Sequence, residues 1–235
     1  MEIIVLKNTS YKEKDAIIEG LSEDGSHSFL VKGLLSPKSS NIILSNILVY
    51  ADIEIQEGKY KHPIIKKSQV IHTPYHLEKE KSNLEVISLL DELTLSLLQE
   101  EERGAMFNLL KDAIICLEKE RVDAKSIALI YFMQVIKEAG YSFEVNRCTR
   151  CGSKKSIAAF SFDEGGFICK DCLTEEVDLS LSKESMLAIR KATLLDHYED
   201  VFELDDNSFK EILSKLKTFV LDYLGVKLIS IDFFL

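Results

Sequence analysis

The first part of the chain alternates short hydrophobic runs with turn-forming residues, a pattern typical of β-strands joined by tight turns. The runs are EIIVL, DAIIEGL, SFLVKG, ILVYADIEI and PIIKKSQVI, with turn signals such as Glu23-Asp24-Gly25 between them. In the fourth run Val49, Ala51, Ile53 and Ile55 fall on one face of a strand. Five strands within about 75 residues predict a small closed barrel, most commonly an OB fold, although an SH3-like barrel gives a similar pattern.

Beyond this region the apolar residues recur every three or four positions, which predicts amphipathic helices. All three prolines precede the change of pattern, so a boundary is expected near residues 72–80. Two stripes of apolar residues predict the first two helices. The first consists of Leu84, Ile87, Leu90, Leu93 and Leu97, and the second of Met106, Leu110, Ala113 and Leu117.

Three later helices follow from their capping signals. Asp123 can cap a helix that ends before Gly140 and is apolar nearly all round, so it is expected to be central. Ser182 can cap a fourth helix, and a fifth is predicted at about residues 207–223. The apolar tail, residues 228–235, is predicted to pack on the helices, because a free tail of this composition would aggregate.

Four of the five cysteines form two Cys-x-x-Cys pairs, Cys148/Cys151 and Cys169/Cys172, which 17 residues separate. This spacing is typical of a four-cysteine zinc site, and Glu164-Gly165-Gly166 between two apolar runs predicts a hairpin joining the pairs. Four thiolates complete a tetrahedral site, so the one Zn²⁺ expected here is structural and not catalytic. A redox dithiol or an iron–sulfur cluster is the alternative.

These patterns together predict an α+β protein with an inserted module. Residues 1–77 are expected to form a five-stranded OB-fold barrel, and residues 78–146 and 177–235 an all-α domain in two parts. Residues 147–176 are expected to form a four-cysteine zinc ribbon inserted between those parts.

Charge is unevenly distributed in this chain of 235 residues and formal net charge −10. Residues 1–77 carry nine lysines and nine acidic residues, whereas DHYEDVFELDD, residues 196–206, carries six acidic residues and no Lys or Arg. The acidic run predicts either a solvated surface or a contact for a basic partner.

Several classes of protein are disfavoured by what the sequence lacks. No signal peptide is evident, and the longest apolar run, Ile127–Met133, is far shorter than the roughly 20 residues that span a bilayer. A cytoplasmic protein with no membrane partner is therefore expected. No Gly-rich phosphate loop and no HExxH motif is present, so neither an enzyme nor a small-molecule substrate is predicted.

Lysines interleaved with tyrosines in the barrel region suggest a surface for single-stranded nucleic acid. Such a surface needs positive charge for the backbone and rings on which bases stack. The same pattern also occurs in ordinary solvated hairpins. The candidate DNA-binding residues are Lys7, Tyr11, Lys12, Lys14, Lys32, Lys38, Lys59, Tyr60, Lys61, Lys66 and Lys67.

A second basic group lies on the predicted ribbon, at Arg147, Arg150, Lys154 and Lys155. Four thiolates and one Zn²⁺ carry a net charge of about −2, which these bases are placed to balance. Possible contact with phosphate is the other interpretation.

The order of these parts resembles the RecO family of bacterial DNA repair and recombination mediators. The likeness covers nearly the whole chain: IIVLKNTSYKEKDAII and LVKGLLSPKS resemble the family's opening strands, and LGVKLISIDFF its closing segment. The ribbon after AGYSFEVNRCTRCG is the most specific match. The resemblance implies an N-terminal OB fold, a helical domain and an inserted zinc ribbon. It also implies binding and annealing of single-stranded DNA, with RecR and the C-terminal tail of the single-stranded DNA-binding protein (SSB) as partners.

Three hypotheses for function follow. The first is a non-enzymatic recombination mediator that helps to load recombinase onto strands coated by SSB. The second is a zinc-ribbon adaptor between proteins with little direct DNA binding, which the acidic net charge favours. The third, a subunit of a zinc-ribbon enzyme, would need a catalytic constellation, and the sequence offers none.

Overall fold

The computed structural model describes residues 1–57, 61–75, 81–119, 123–175, 181–200 and 202–235. The chain divides into two compact units, Met1–Arg121 and Val122–Leu235. The barrel belongs to the first unit and the cysteines to the second.

Five strands close into a barrel in the first unit. They are β1 (Glu2–Tyr11), β2 (Asp15–Ser22), β3 (Gly25–Val31), β4 (Tyr50–Gln56) and β5 (Ile64–His72). Their order around the barrel is β1-β2-β3-β5-β4, and β1 also pairs with β4. The contact between β3 and β5 is parallel and the others are antiparallel. This five-stranded Greek-key order confirms the predicted OB fold over an SH3-like barrel.

Alternate residues of the strands fill the barrel. Ile18, Phe29 and Ile53 belong to one buried cluster with the apolar residues of β1. Ile55 was expected on the same face as Ile53 but is 39% exposed. The β4–β5 register shifts between Glu54 and Ile55, and such a bulge turns the following side chains to the opposite face.

Two helices complete the first unit, α1 (Lys81–Leu97) and α2 (Phe107–Lys119). Most of the predicted apolar residues of α1 are buried, but Leu84, in its first turn, is 54% exposed. Burial is complete further along, for example at Leu90 and Leu93.

Arg103, in the 3₁₀ turn before α2, joins these helices to the barrel. Its guanidinium forms an ion pair with Glu19 of β2 at 2.6 Å and donates to the carbonyl oxygens of Leu95 and Leu98. The adjacent Gly104 has no room for a Cβ, which would lie 2.6 Å from the carbonyl oxygen of Glu23. The contacts place α1 and α2 in the same compact unit as the barrel, while the predicted division at residues 77, 146 and 176 stays a prediction.

The second unit is built around α3 (Ala124–Glu138). Every residue from 126 to 136 is buried, as expected for a central helix, and the Asp123 side chain caps it by accepting from the Lys125 N–H. Helix α4 (Lys183–Leu194) is capped by Ser182, as predicted. Helix α5 (Asp206–Phe219) continues through a π turn to Gly225, whose φ of 70° ends it.

The apolar tail packs on this unit through only some of its residues. Leu228 and Ile231 are buried, and the Phe234 ring lies edge-on to Phe209 at 5.3 Å. In contrast, Ile229 and Phe233 are more than half exposed. The tail is therefore part of the fold, but with one open apolar side.

Candidate metal centre and candidate nucleic-acid interface

The cysteine pairs meet at one end of a two-stranded hairpin in the second unit. Strand β6 (Ile157–Ser161) pairs with β7 (Gly166–Cys169), and a 3₁₀ turn (Lys170–Cys172) follows. The sulfur atoms of the four ligand candidates all lie within 4.8 Å of one another. They belong to Cys148, Cys151, Cys169 and Cys172.

The spacing of these sulfurs fits a tetrahedral metal ion. A Zn–S bond of about 2.3 Å implies sulfur–sulfur edges of about 3.8 Å. The Sγ atoms of Cys151 and Cys169 are 3.6 Å apart, close to that edge and far from a disulfide bond of about 2.05 Å. All four cysteines are free thiols, so the cluster can hold a soft divalent cation.

Electrostatics within the cluster also fit a cation. Burial opposes ionisation of Cys148, but backbone N–H groups of Cys169 and Cys151 point at its sulfur and lower the pKa of the thiol to about 6. Contact with Cys151 and burial raise the pKa of Cys172 to about 12. Ionisation of Cys148 is thus favoured and that of Cys172 opposed, and a bound cation would offset the repulsion between neighbouring thiolates.

A short segment before the first pair fastens it to the hairpin. Phe167 N donates to Glu144 O at 3.0 Å, and Thr149 N donates to Phe167 O at 2.8 Å. The approach is close at Gly166, where φ is 154° and a Cβ would lie 2.3 Å from Glu144 O. The ribbon thus has a third extended segment, which holds the first cysteine pair beside β7.

The basic residues of the ribbon differ in their surroundings. Arg147 forms an ion pair with Glu144 at 2.9 Å, and Arg150 forms one with both carboxylate oxygens of Glu164. Lys154 and Lys155 are exposed and make no ion pair within the described part of the chain. Two of the four candidates are therefore held by acidic neighbours.

One end of the barrel gathers three separate segments of the chain. Pairing of Ala16 with Val31 brings the end of β3 to the β1–β2 turn, and pairing of Leu30 with Ile64 brings the start of β5 to the same place. Leu35 N donates to Lys14 O at 3.0 Å and fixes the chain after β3 there. The predicted residues that meet at this end are Tyr11, Lys12, Lys14, Lys32 and Lys61, and we call it the basic barrel end.

A cavity of about 270 Å³ opens at the basic barrel end. It is lined by Tyr11, Ile17, Leu30, Lys61 and His62. Ile17 and Leu30 are a cross-strand pair of β2 and β3, and the Lys12 ammonium lies 5.2 Å from the centre of the Tyr11 ring. The cavity is thus mainly apolar, with a ring and lysines at its rim.

The remaining barrel candidates lie elsewhere or outside the described residues. Lys7 faces Glu19 across β1 and β2, and Lys67 forms an ion pair with Glu54 at 3.3 Å. Lys38 and Lys66 are exposed on the segment after β3 and on β5. Lys59 and Tyr60 are outside the described residues.

Sequence reasoning missed the apolar part of this cavity. Ile17, Leu30 and His62 were not among the candidate DNA-binding residues. The available signal was Ile17 itself, which falls on the outward face of a strand whose inward residues are Ala16 and Ile18. An apolar residue at an outward position can indicate a binding surface.

No helix in the described ranges is long and apolar enough to cross a membrane.

The protein combines an OB-fold barrel with helices and a four-cysteine hairpin. Comparison with known sequences identifies the family that has this combination. Residues 1–74 match the family model "Recombination protein O N terminal", and residues 82–230 match "Recombination protein O C terminal". The chain belongs to the RecO family.

Similar curated proteins carry the name "DNA repair protein RecO". One from Caldanaerobacter subterraneus subsp. tengcongensis is 25% identical over 99% of this chain and 95% of its own length. Another from Caldicellulosiruptor bescii is 28% identical over 96% of this chain and 91% of its own length. A third, from Halalkalibacterium halodurans, is 24% identical over 94% and 87% of the two chains.

Proposed function

We propose that the protein is a non-enzymatic recombination mediator that binds and anneals single-stranded DNA at the basic barrel end. The observation that carries this proposal is an apolar cavity lined by Tyr11 and Lys61, with the Lys12 ammonium beside the Tyr11 ring. Lys14 lies in the same β1–β2 turn as Lys12. The turns between strands 1 and 2 and between strands 4 and 5 are the loops with which OB folds bind oligonucleotides.

Lysines at this end are available to phosphates. Lys12, Lys14 and Lys61 are exposed and form no ion pair with any described residue. Two acidic residues, Glu13 and Asp15, lie in the β1–β2 turn region. The Asp15 carboxylate accepts a hydrogen bond from the Gly33 N–H. Screening over about 8–10 Å lets such local charge decide binding even when the whole chain is acidic.

The cavity supplies the second element of a single-strand site. Tyr11 is 41% exposed, and beside it Ile17 and Leu30 form an apolar wall. A base unstacked from its neighbours would bury its ring there, while Lys12 and Lys61 contact the flanking phosphates. Because every base has an apolar face, such a site tolerates many sequences.

We further propose that the four-cysteine cluster holds one structural Zn²⁺. Cys148, Cys151, Cys169 and Cys172 would fill all four tetrahedral positions, so the ion would stabilise the ribbon and leave no site for a substrate. Annealing itself needs no covalent chemistry, only two strands held close with their charge screened.

Membership of the RecO family supports the choice of partners. We propose that RecR and the C-terminal tail of SSB bind this protein, and that together they help recombinase to load onto SSB-coated strands. Such a protein would act in the cytoplasm, on the DNA of the nucleoid.

Strand binding and annealing at low salt test the proposal. A fluorescent oligothymidine would report binding by anisotropy, and two complementary labelled strands would report annealing. We expect K12E/K14E to weaken both activities, because two phosphate contacts become repulsive, and K12R/K14R to keep them, because the charge is unchanged.

The adaptor hypothesis predicts another result. If the parent protein binds single strands weakly and without salt dependence, while it still captures SSB through its tail, direct DNA binding is wrong. The acidic net charge of −10 is the observation that favours this second candidate.

A further inference from the structure

We propose that Arg150 is a positioning residue of the metal centre, which closes the two cysteine pairs on each other, and is not a DNA contact. This inference rests on the zinc proposed above. Nothing in the spacing of the cysteines indicates it, because its partners lie 14 and 22 residues away along the chain.

The guanidinium of Arg150 contacts two separate parts of the ribbon. Its Nε and Nη2 groups donate to the two carboxylate oxygens of Glu164, in the turn between β6 and β7. Its Nη1 group donates to the carbonyl oxygen of Cys172, in the second pair. Arg150 itself stands between Cys148 and Cys151, so one side chain connects the first pair, the second pair and the hairpin turn.

This arrangement needs the shape of arginine. A planar guanidinium can form two parallel hydrogen bonds to a carboxylate and still direct a third donor elsewhere, whereas an ammonium group is a single point. Its positive charge also lies beside a centre of four thiolates and one Zn²⁺, which carries about −2. Groups that orient and neutralise metal ligands from outside typically change metal affinity by roughly 10- to 100-fold when they are removed.

Arg147 is the natural comparison on the same segment. It is adjacent to Cys148, but its side chain is 59% exposed, and its one side-chain partner among the described residues is Glu144, three residues away. The Arg150 side chain is 31% exposed, and its partner Glu164 is 30% exposed. Only Arg150 reaches the second cysteine pair among the ribbon bases Arg147, Arg150, Lys154 and Lys155 in the hydrogen bonds of the described residues.

Competition for zinc by a coloured chelator tests this role in the full-length protein. We expect R150Q to lose affinity for Zn²⁺ by about 10-fold or more. R150K should retain only part of the affinity, because lysine keeps the charge but not the fork. R147Q should match the parent. E164Q should weaken zinc binding as well. R150Q/E164Q should bind zinc no more weakly than R150Q alone, because the two substitutions break the same contact between Arg150 and Glu164.

Single-strand binding is measured on the same zinc-loaded samples and should be equal in R150Q and the parent. If R150Q and R147Q hold zinc as tightly as the parent, the inference about Arg150 is wrong while the zinc proposal stands. If the parent itself contains no zinc, the zinc proposal fails first. If R150Q is insoluble, R150K and E164Q in the same competition decide, and parent-like affinity in both would overturn the role.

Discussion

The basic barrel end and the ribbon both carry clustered positive residues, yet the two regions use them differently. On the ribbon, Arg147 and Arg150 are engaged by Glu144 and Glu164. At the barrel end, Lys12 and Lys61 are exposed on turns beside an apolar cavity. The difference teaches that an arginine held by an acidic partner beside the thiolate cluster is first a structural counter-charge, whereas a lysine on a turn beside an exposed ring is available to a ligand.

The substitution with the largest expected effect should disrupt the ribbon and leave the barrel end unchanged. C148S removes a thiolate from the centre, and the ribbon would lose much of the roughly 10–16 kcal/mol that structural zinc contributes. Elemental analysis should show the loss of zinc, while single-strand binding at the barrel end should persist. C116S, which changes a cysteine of α2 outside the cluster, is the matched control and should keep one zinc per chain. Loss of DNA binding in soluble C148S would contradict the separation.

Two uncharged substitutions next test the close contact between Gly166 and Glu144 in the ribbon. G166A places a Cβ against the Glu144 carbonyl in an unfavourable backbone conformation, which should cost about 2 kcal/mol or more. G165A, where φ is 71° and no atom lies within 4 Å of the added Cβ, should cost only about 1 kcal/mol. Amide hydrogen exchange at Phe167 and Thr149 measures both changes. Equal protection in the two variants would argue against the close contact at Gly166.

Two tyrosines of similar exposure sharpen the comparison further. Tyr11 at the barrel end is 41% exposed, and Tyr223 in the second unit is 44% exposed. Y11A should weaken single-strand binding by about 1–3 kcal/mol, the usual value for a base that stacks on a ring. Y223A should leave it unchanged, because Tyr223 bonds to Asp163 and stacks on Phe219. The cavity is not a base site if both variants bind oligothymidine as the parent does.

A further expected effect concerns the change in stability of the first unit with pH. Burial, with a smaller contribution from Glu19, raises the pKa of Asp91 to about 8, although Arg103 partly offsets the shift. The folded state therefore holds a proton between about pH 4 and pH 8 that the unfolded state has released. The free energy of unfolding should fall as the pH rises through this window.

Denaturant unfolding of D91N provides the check. Because Asn cannot ionise, D91N should lack this part of the pH dependence, so its free energy of unfolding should rise relative to that of the parent between about pH 4 and pH 8. Parallel pH profiles for the two proteins would show that Asp91 ionises freely in the folded state.

Local patterns in the sequence were enough to predict the main helices and strands and the four cysteines that the fold brings together. The two Cys-x-x-Cys pairs and the 17 residues between them predict a shared ion from spacing alone, and the cap at Asp123 is equally local. The exposure of Ile55 depends on a bulge in the pairing of β4 with β5, and no residue type in the sequence indicates that bulge.

Long-range pairing explains what the sequence did not reveal at the sites. The pairing of Arg150 with Glu164 depends on how the hairpin folds over the knuckle. The basic barrel end depends on the parallel contact of Leu30 with Ile64, which joins segments more than 30 residues apart. Candidate lysines could therefore be named from sequence, but not sorted into those that meet and those that do not.

The salt dependence of single-strand affinity tests the central claim most directly. It is measured for the parent, K12E/K14E and K154E/K155E, two double reversals with the same change of charge in the two regions. Each phosphate contact contributes about 0.7 to the slope of log affinity against log salt, so K12E/K14E should lose about 1.4 of the parent's slope. K154E/K155E should keep the parent's slope. The opposite result, with the slope lost in K154E/K155E and kept in K12E/K14E, would place the DNA site on the ribbon and contradict the account.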